Sequence, residues 1–236
     1  MEPAKSFDPA DAGTPECRWL SLLSHVGEWL PKSGPLLVVA PHPDDEILGA
    51  GGLVQSWLTS GGAVTVISVT DGEAADPSHP QLDLVRRGEL RDALRRLSSF
   101  HVQVERLGLP DGRVGEHRNR LRNGILQHVH ASGTIIAPYE RDGHPDHETV
   151  GQICLEIAQT QGIPIARYPV WTWHHTDPET LKTSRWGRFP LSPAAQRAKK
   201  RALESFGSQL RPPNGAPIVP PHVLEHFHRP YEAFLV

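Results

Sequence analysis

The sequence has few of the features that assign a protein to a class at once. It contains only two cysteines, Cys17 and Cys154, and neither belongs to the CxxC or CxxH spacing of a thiolate metal site or redox pair. No apolar run approaches the roughly 18 to 20 residues of a membrane-spanning helix. Residues 1–16 also lack the apolar segment of a signal peptide. These absences exclude a membrane span and favour a cytoplasmic protein with reduced thiols.

An excess of positive charge is absent as well. Lysine and arginine together number 24 against 27 acidic residues, which gives a formal net charge of -3. A chain without a basic surplus is a poor partner for nucleic acid phosphates or anionic lipid. We therefore expect a small-molecule partner and no nucleic acid, and the sequence leaves a homo-oligomer open.

The 236 residues suit a single domain with a sizeable core. Apolar runs and helical periodicity predict strands at 36–40, 64–69, 102–107 and 134–137, and helices at 19–30, 47–58, 90–97, 150–158 and 193–206. This alternation predicts an α/β fold, a Rossmann-like three-layer sandwich with a mostly parallel sheet and an active site at the carboxyl ends of the strands. Residues 1–16 are expected to form a loose leader, and 173–236 to add edge structure and substrate-side loops.

The chain is rich in histidine, with fourteen residues, and one of them opens a loop crowded with carboxylates. The run from His42 to Glu46 follows the predicted strand at 36–40 and precedes a helix, which is where α/β proteins place their chemistry. The alternative is a polar turn in which Asp44 or Asp45 only caps the helix. Glu46 is expected to be structural, because a carboxylate in the first turn favours the helix dipole.

A second loop favours the chemical interpretation. Residues 142–148 follow the predicted strand at 134–137 and repeat the order of histidine, proline and aspartate before a helix. If the two loops face each other, His42, Asp45 and His147 supply two nitrogens and one carboxylate, which suits a catalytic zinc ion with an open position. Fe2+, Co2+ or Mn2+ are compatible with the same ligands. Because His144 stands three residues before His147, one could bind the metal while the other faces the substrate.

Several short motifs point together to one protein family. They are VAPHPDDE at 39–46, TDGE at 70–73, RRGELR at 86–91 and HPDH at 144–147, and the tail segments 202–209 and 231–234 are also similar. In this order they resemble the PIG-L (LmbE-like) N-acetylglucosaminyl deacetylases, over roughly residues 36–170. The resemblance implies a zinc-dependent hydrolase that removes the N-acetyl group from an N-acetylglucosamine-type sugar or a small conjugate of one.

Carried over motif by motif, the resemblance implies that His42, Asp45 and His147 bind zinc and that Asp44 is the general base. The chemistry agrees with this assignment. Zinc lowers the pKa of bound water from 15.7 toward about 7. Asp44 could take that water's proton and later give it to the leaving amine.

The same resemblance implies that His144 stabilises the oxyanion and that Asp146 orients and tunes its imidazole. A hydrogen bond to Asp146 would keep His144 protonated, and would place positive charge where the tetrahedral oxyanion develops. Arg86 and Asp111 match positions that contact the sugar in this family. Their ordinary roles would be a paired arginine on a helix and a Pro-Asp-Gly turn.

The chain departs from some relatives just ahead of His144, where residues 140–142 lack the tyrosine that those relatives carry. Tyr139 or Arg141 could supply the second oxyanion contact instead. Asp71, in the loop after the second predicted strand, is expected to line the pocket.

Five histidines of the last third lie outside these motifs, namely His174, His175, His222, His226 and His228. They could form a second metal site, but histidines in a polar, proline-bounded segment are more often solvated. Trp171 and Trp173 could form a wall against a sugar face, whereas alternating aromatics more often pack in the core.

Two other functions stay open from the sequence alone. A metal-dependent hydrolase of another bond, such as a phosphoesterase or another amidase, would use similar residues, and phosphoesterases often hold two ions about 3.5 to 4 Å apart. The other is a non-catalytic sugar- or nucleotide-binding Rossmann-like module. It is disfavoured because no G-x-G-x-x-G motif follows the first predicted strand.

Overall fold

The structure, a computed structural model, describes residues 8–212 and 215–236, so residues 1–7 of the predicted leader lie outside the described residues. The strands are β1 Leu36–Ala40, β2 Val64–Ser68, β3 Gln103–Arg106, β4 Thr134–Pro138, β5 Ile165–Tyr168, β6 Trp186–Pro190 and β7 Tyr231–Leu235. The helices are α1 Glu16–Leu23, α2 Asp45–Thr59, α3 Leu82–Leu97, α4 Arg118–Leu126, α5 Pro145–Gln161, α6 Thr172–His175, α7 Pro193–Leu203, α8 Gly207–Leu210 and α9 Pro221–Leu224. Among these described helices, none combines the length and the apolar content needed to cross a bilayer.

The seven strands form one sheet in the order β3-β2-β1-β4-β5-β7-β6. β1 pairs in parallel with β2 and β4, β2 with β3, and β4 with β5, whereas β7 runs antiparallel to β5 and β6. The strand order reverses between β1 and β4, because the chain moves outward from β1 to β3 and in the other direction from β4 to β5. Such a switch point is where open α/β sheets bind ligands. The predicted mostly parallel sheet is confirmed.

Helices cover both faces of this sheet, because successive side chains of β1 are buried on opposite sides. Leu36 and Val38 belong to an apolar cluster shared with α2, α3 and α7. Leu37 and Val39 belong to a second cluster shared with α4 and α5. A strand that is apolar at every position requires cover on both faces, so the predicted three-layer arrangement is confirmed as well.

The first helix is shorter than its periodicity predicts. α1 ends at Leu23, and the chain then runs beside β6, where the amide of Trp29 donates to the carbonyl of Arg188 at 2.8 Å. Pairing with the sheet edge gives these backbone groups partners outside a helix, and it overrides the local pattern. α7 begins as predicted, since the Ser192 side chain accepts a hydrogen bond from the amide of Ala195.

The described part of the leader is packed against the last third of the chain. The amide of Thr14 donates to the carbonyl of His174 at 2.7 Å, and the indole of Trp19 donates to the carbonyl of Trp173 at 2.7 Å. Glu16 accepts two hydrogen bonds from Arg229, each at 2.6 Å. Thr14 and Glu16 are therefore held against the last third of the chain, and the single domain with its loose leader stays a prediction.

Candidate metal-centred active site

The two histidine-containing loops meet at the switch point of the sheet. One joins β1 to α2 and the other joins β4 to α5, and β1 and β4 are neighbours with Leu36 opposite Thr134. Because parallel strands end at the same edge of a sheet, both loops emerge side by side. This register brings His42 next to His147 although 105 positions separate them in the chain.

Three side-chain atoms from these loops form a small triangle. Nδ1 of His42 lies 3.2 Å from Nε2 of His147 and 3.3 Å from Oδ2 of Asp45, and Nε2 of His147 lies 3.2 Å from the same Oδ2. Donor atoms at about 2.0 to 2.1 Å from a tetrahedral zinc ion are about 3.3 Å from one another. The residues present therefore fit a divalent metal ion, which His42, Asp45 and His147 would hold.

Each of the two histidines also engages a carboxylate through its other ring nitrogen. Nε2 of His42 lies 3.0 Å from Oδ1 of Asp111 and 3.3 Å from Oδ2 of Asp146. Nδ1 of His147 lies 2.9 Å from Oδ2 of Asp142. Metal-binding histidines almost always donate their second N–H in this way, because it fixes the tautomer and orients the ring.

The charge of this cluster is unusual for groups so deeply buried. Burial alone would lower the pKa of His42, but three surrounding carboxylates outweigh it and raise the pKa well above the ordinary value. Burial likewise opposes the charge on His147, and Asp45 and Asp142 raise its pKa to about 9. Burial would raise the pKa of Asp45, but the two imidazoles hold it well below its usual range. The carboxylates thus favour two positive charges here, the charge that a divalent ion would bring.

Asp44 sits on a strained turn between His42 and Asp45, the two residues that the first loop supplies to the triangle. Its φ of 140° lies in the region that favours glycine, and it is the one non-glycine residue with positive φ among the described residues. The buried guanidinium of Arg86 donates to the carbonyls of Pro43 and Gly72 at 2.8 and 3.0 Å and reaches Oδ2 of Asp44 at 3.4 Å. Burial raises the pKa of Asp44 to about 7, although the charge of Arg86 opposes the shift.

His144 lies beside the triangle, with its ring centroid 4.8 Å from that of His42 and 5.0 Å from that of His147. Its contact with Asp146 differs from the sequence-based prediction. Nδ1 of His144 accepts from the backbone amide of Asp146 at 3.2 Å, while the Asp146 carboxylate accepts from the amide of Gly112 at 2.7 Å and faces His42. Burial and the charges of His147 and His42 lower the pKa of His144 to about 3. The hydrogen bond that Nδ1 accepts favours a neutral imidazole, whereas the sequence predicts a ring kept protonated by Asp146.

A cavity of about 730 Å3 opens onto these side chains. Its polar lining residues include His42, Asp44, Asp45, Arg86, Asp111 and His144. Its apolar lining residues include Pro9, Val170, Trp171, Ile218 and Val219. The structure therefore brings six of the eight predicted site residues to one cavity, and the other two, Asp146 and His147, are fully buried beside them.

Other expected contributors lie elsewhere. Asp71 accepts hydrogen bonds from Arg87 and Arg106, which hold its pKa low against the effect of burial. Tyr139 packs in the apolar core and Arg141 is exposed. Glu46 lies in the first turn of α2 and is fully buried, and its carboxylate accepts a hydrogen bond from the amide of Asp44 at 3.2 Å.

Sequence reasoning missed Asp142 as a contributor to the site. This fully buried carboxylate accepts hydrogen bonds from the amides of Val170, Trp171 and Thr172 and from the Thr172 hydroxyl, besides its contact with His147. It therefore links His147 to the segment that contributes Val170 and Trp171 to the cavity lining. The available signal was its place at the head of the 142–148 loop, which follows the buried strand β4.

Comparison with known proteins shows which sequences the chain is similar to. The family model for GlcNAc-PI de-N-acetylase, PIG-L, matches residues 37–158, about half of the chain. A 1D-myo-inositol 2-acetamido-2-deoxy-alpha-D-glucopyranoside deacetylase from Tsukamurella paurometabola is 44% identical over 184 residues, covering 58% of this chain and 61% of the relative. A diacetylchitobiose deacetylase from Thermococcus kodakarensis is 28% identical over 141 residues, covering 55% of this chain and 51% of the relative. The chain thus spans less than two thirds of each relative.

Solved structures show the same fold. A conserved protein from Thermus thermophilus aligns with a TM-score of 0.63 and 25% identity, over 85% of this chain and 93% of that protein. The N,N'-diacetylchitobiose deacetylase from Pyrococcus horikoshii aligns with a TM-score of 0.57 and 21% identity, over 87% of this chain and 82% of that protein, which shows the fold alone. Since the family match accounts for half of the chain and includes both histidine loops, the chain belongs to the PIG-L family.

Proposed function

We propose that the chain is a metal-dependent N-deacetylase that hydrolyses the acetamide of an N-acetylglucosamine-type sugar or of a small conjugate of one. The observation that carries the proposal is the triangle of donor atoms from His42, Asp45 and His147 beside the buried carboxylate of Asp44. Relatives named as deacetylases of acetamido sugars support the choice of substrate. Zinc is the preferred cofactor for two nitrogens and one carboxylate, and Fe2+, Co2+ or Mn2+ would fit the same donors.

His42, Asp45 and His147 would hold the ion through the three atoms of the triangle. A bound zinc ion would supply a Lewis acid that makes hydroxide available near neutral pH. Asp111 and Asp142 keep the remaining ring nitrogens of the two histidines engaged, and so present a lone pair of each ring toward the triangle. These outer carboxylates are therefore positioning residues of the proposed metal site.

Asp44 is the proposed general base. It lines the cavity next to the triangle. Arg86 binds the carbonyl of Pro43 and contacts the Asp44 carboxylate, so it holds that carboxylate in one orientation before substrate binds. A carboxyl group whose pKa is about 7 is suited to accept a proton from the attacking water and to deliver it to the leaving amine. The strain at Asp44 is the backbone cost of this placement.

His144 is the proposed donor to the developing oxyanion, in its neutral form. Because its Nδ1 accepts a hydrogen bond from the amide of Asp146, the neutral ring carries its proton on Nε2. That N–H can stabilise negative charge on the acetamide oxygen as the tetrahedral intermediate forms. Asp146 then acts on His144 through its backbone, while its carboxylate supports His42.

Arg86 and Asp111 stay proposed sugar contacts, since both line the cavity, although each already has partners within the protein. Asp111 also accepts from the amide of Ala74 at 2.9 Å, which joins the loop after β2 to the site. The cytoplasmic location and the homo-oligomer stay predictions.

The direct test is amine release from N-acetylglucosamine and a panel of its conjugates, measured before chelation, after chelation and after zinc restoration. We expect Asp44→Asn to keep its metal and to lower turnover by about 100- to 10,000-fold. Asp92→Asn, on an exposed position of α3, is the matched control and should keep both properties. Amine release that survives chelation, or a wild-type rate in Asp44→Asn, would contradict the proposal. Phosphate release from esters in place of amine release would favour the phosphoesterase alternative.

A further inference from the structure

Residues 8–14, called here the N-terminal strap, lie across segments that border the cavity. Two imidazoles fix its first residues. Nε2 of His174 donates to the carbonyl of Asp8 at 3.1 Å, and Nε2 of His222 donates to the carbonyl of Pro9 at 3.1 Å. The centroids of the two rings lie 5.5 Å apart, so two adjacent histidine side chains hold two consecutive residues of the strap. His174 and His222 thus hold the start of the strap by hydrogen bonds.

The other end of the strap is fixed as closely. The amide of Thr14 donates to the carbonyl of His174 at 2.7 Å, and its hydroxyl donates to the carbonyl of Thr176 at 2.9 Å. Gly13 has a φ of 62°, and a Cβ atom there would collide with the ring of His174 and lie 2.8 Å from its carbonyl oxygen. The strap can follow this path because position 13 is glycine.

The segments that contain His174 and His222 also contribute apolar residues to the cavity lining. Trp171 stands three residues before His174, and Val219 stands three residues before His222. Pro9, Val170, Trp171, Ile218 and Val219 all line the cavity that opens onto Asp44 and His144. These five residues are uncharged, and all five lie outside residues 37–158, the part that matches the family. These five residues, called here the apolar wall, therefore come from chain regions other than those that hold the candidate metal-site residues.

We propose that this wall is a subsite for an apolar group attached to the acetamido sugar, and that the strap sets its shape. The inference rests on the proposed function and adds a class of substrate, a glucosaminide with an apolar aglycone. A volume of about 730 Å3 falls in the range of roughly 300 to 1,000 Å3 that encloses drug-sized ligands. It leaves room for a group beyond one sugar ring. An uncharged wall favours a hydrocarbon group over a phosphorylated or carboxylated one.

The test uses a series of alkyl N-acetylglucosaminides, from methyl to octyl, with binding measured by calorimetry and deacetylation by amine release. For the wild-type chain, affinity should rise about two- to fourfold with each added methylene until the wall is filled, as expected for burial of a CH2 group. Gly13→Ala should displace the strap and abolish most of this gain, with metal content and binding of the methyl glycoside unchanged. Gly162→Ala is the matched control, because Gly162 has a φ of 66° and no atom within 4 Å of an added Cβ.

A second variant covers the case in which Gly13→Ala does not fold. His222→Ala removes the hydrogen bond to the carbonyl of Pro9, and it should lower the affinity gained per methylene by less than Gly13→Ala does. A wild-type affinity that does not change with chain length, or equal gains in the wild type and both strap variants, would overturn the subsite. Methyl glycoside turnover would then still support the deacetylase. Strap-dependent gains without amine release from any glycoside would support the subsite and contradict the proposed deacetylase.

Discussion

Two buried polar clusters of this chain differ in the source of their counter-charge. At the candidate metal site, five carboxylates crowd around two histidines and Arg86: Asp44, Asp45, Asp111, Asp142 and Asp146. In the other cluster, Nζ of Lys199 lies 2.7 Å from Oε1 of Glu232, with both side chains buried. The second cluster is neutral by itself. The first has more carboxylates than cations, so protons on its histidines or a bound metal ion would supply the missing positive charge.

The Lys199–Glu232 pair nevertheless forms hydrogen bonds with the backbone of α2, the helix that starts at Asp45. Nζ of Lys199 donates to the carbonyl of Leu48 at 2.8 Å, and Glu232 accepts from the amides of Gly52 and Leu53 at 2.7 and 2.8 Å. All five groups belong to buried residues. The pair thus anchors α2 to α7 and β7, behind the site and without contact with the donor triangle.

The largest expected effect is a loss of stability when one charge of the Lys199–Glu232 pair is removed. Lys199→Met leaves the carboxylate of Glu232 buried without its cation, and we expect it to lower the free energy of unfolding by about 3 to 5 kcal/mol. Lys182→Met, in the exposed pair with Glu179, is the matched control and should leave stability nearly unchanged. Urea denaturation measures both variants. A loss as small as that of the control would show that Glu232 does not depend on Lys199.

A smaller effect is expected from a carboxylate of the metal-site cluster. Asp142→Asn keeps the shape of the side chain but weakens its hold on Nδ1 of His147, so we expect metal affinity to fall by about 10- to 100-fold. Competition with a chelator of known affinity measures this fall, and Asp92→Asn serves again as the exposed control. Unchanged metal affinity together with reduced stability would make Asp142 a purely structural residue.

The sequence predicts the parts of this molecule that depend on local pattern. β1 is apolar at every position, so a strand covered on both faces could be expected before the structure. The motifs around His42 and His147 follow β1 and β4, and parallel strand ends bring such loops together. Neighbouring strands at the switch point are sufficient to bring His42 and His147 together.

The parts that could not be predicted depend on contacts between separate segments. Whether the Asp146 carboxylate faces His144 or His42 is decided by the amides of Gly112 and Val114, which come from a different loop and occupy its oxygens. The early end of α1 likewise follows from pairing of residues 27–29 with β6, far along the chain. Local periodicity carries no information about such partners.

Elemental analysis of protein purified without chelators tests most directly whether the acid-rich cluster holds one divalent metal ion. We expect one ion per chain in the wild type, loss of that ion in His147→Ala, and retention in the exposed control His101→Ala. The His147→Ala protein should keep its fold by circular dichroism, so that the loss reports on the site. A wild-type chain without metal, two ions per chain, or equal metal content in His147→Ala would contradict the account.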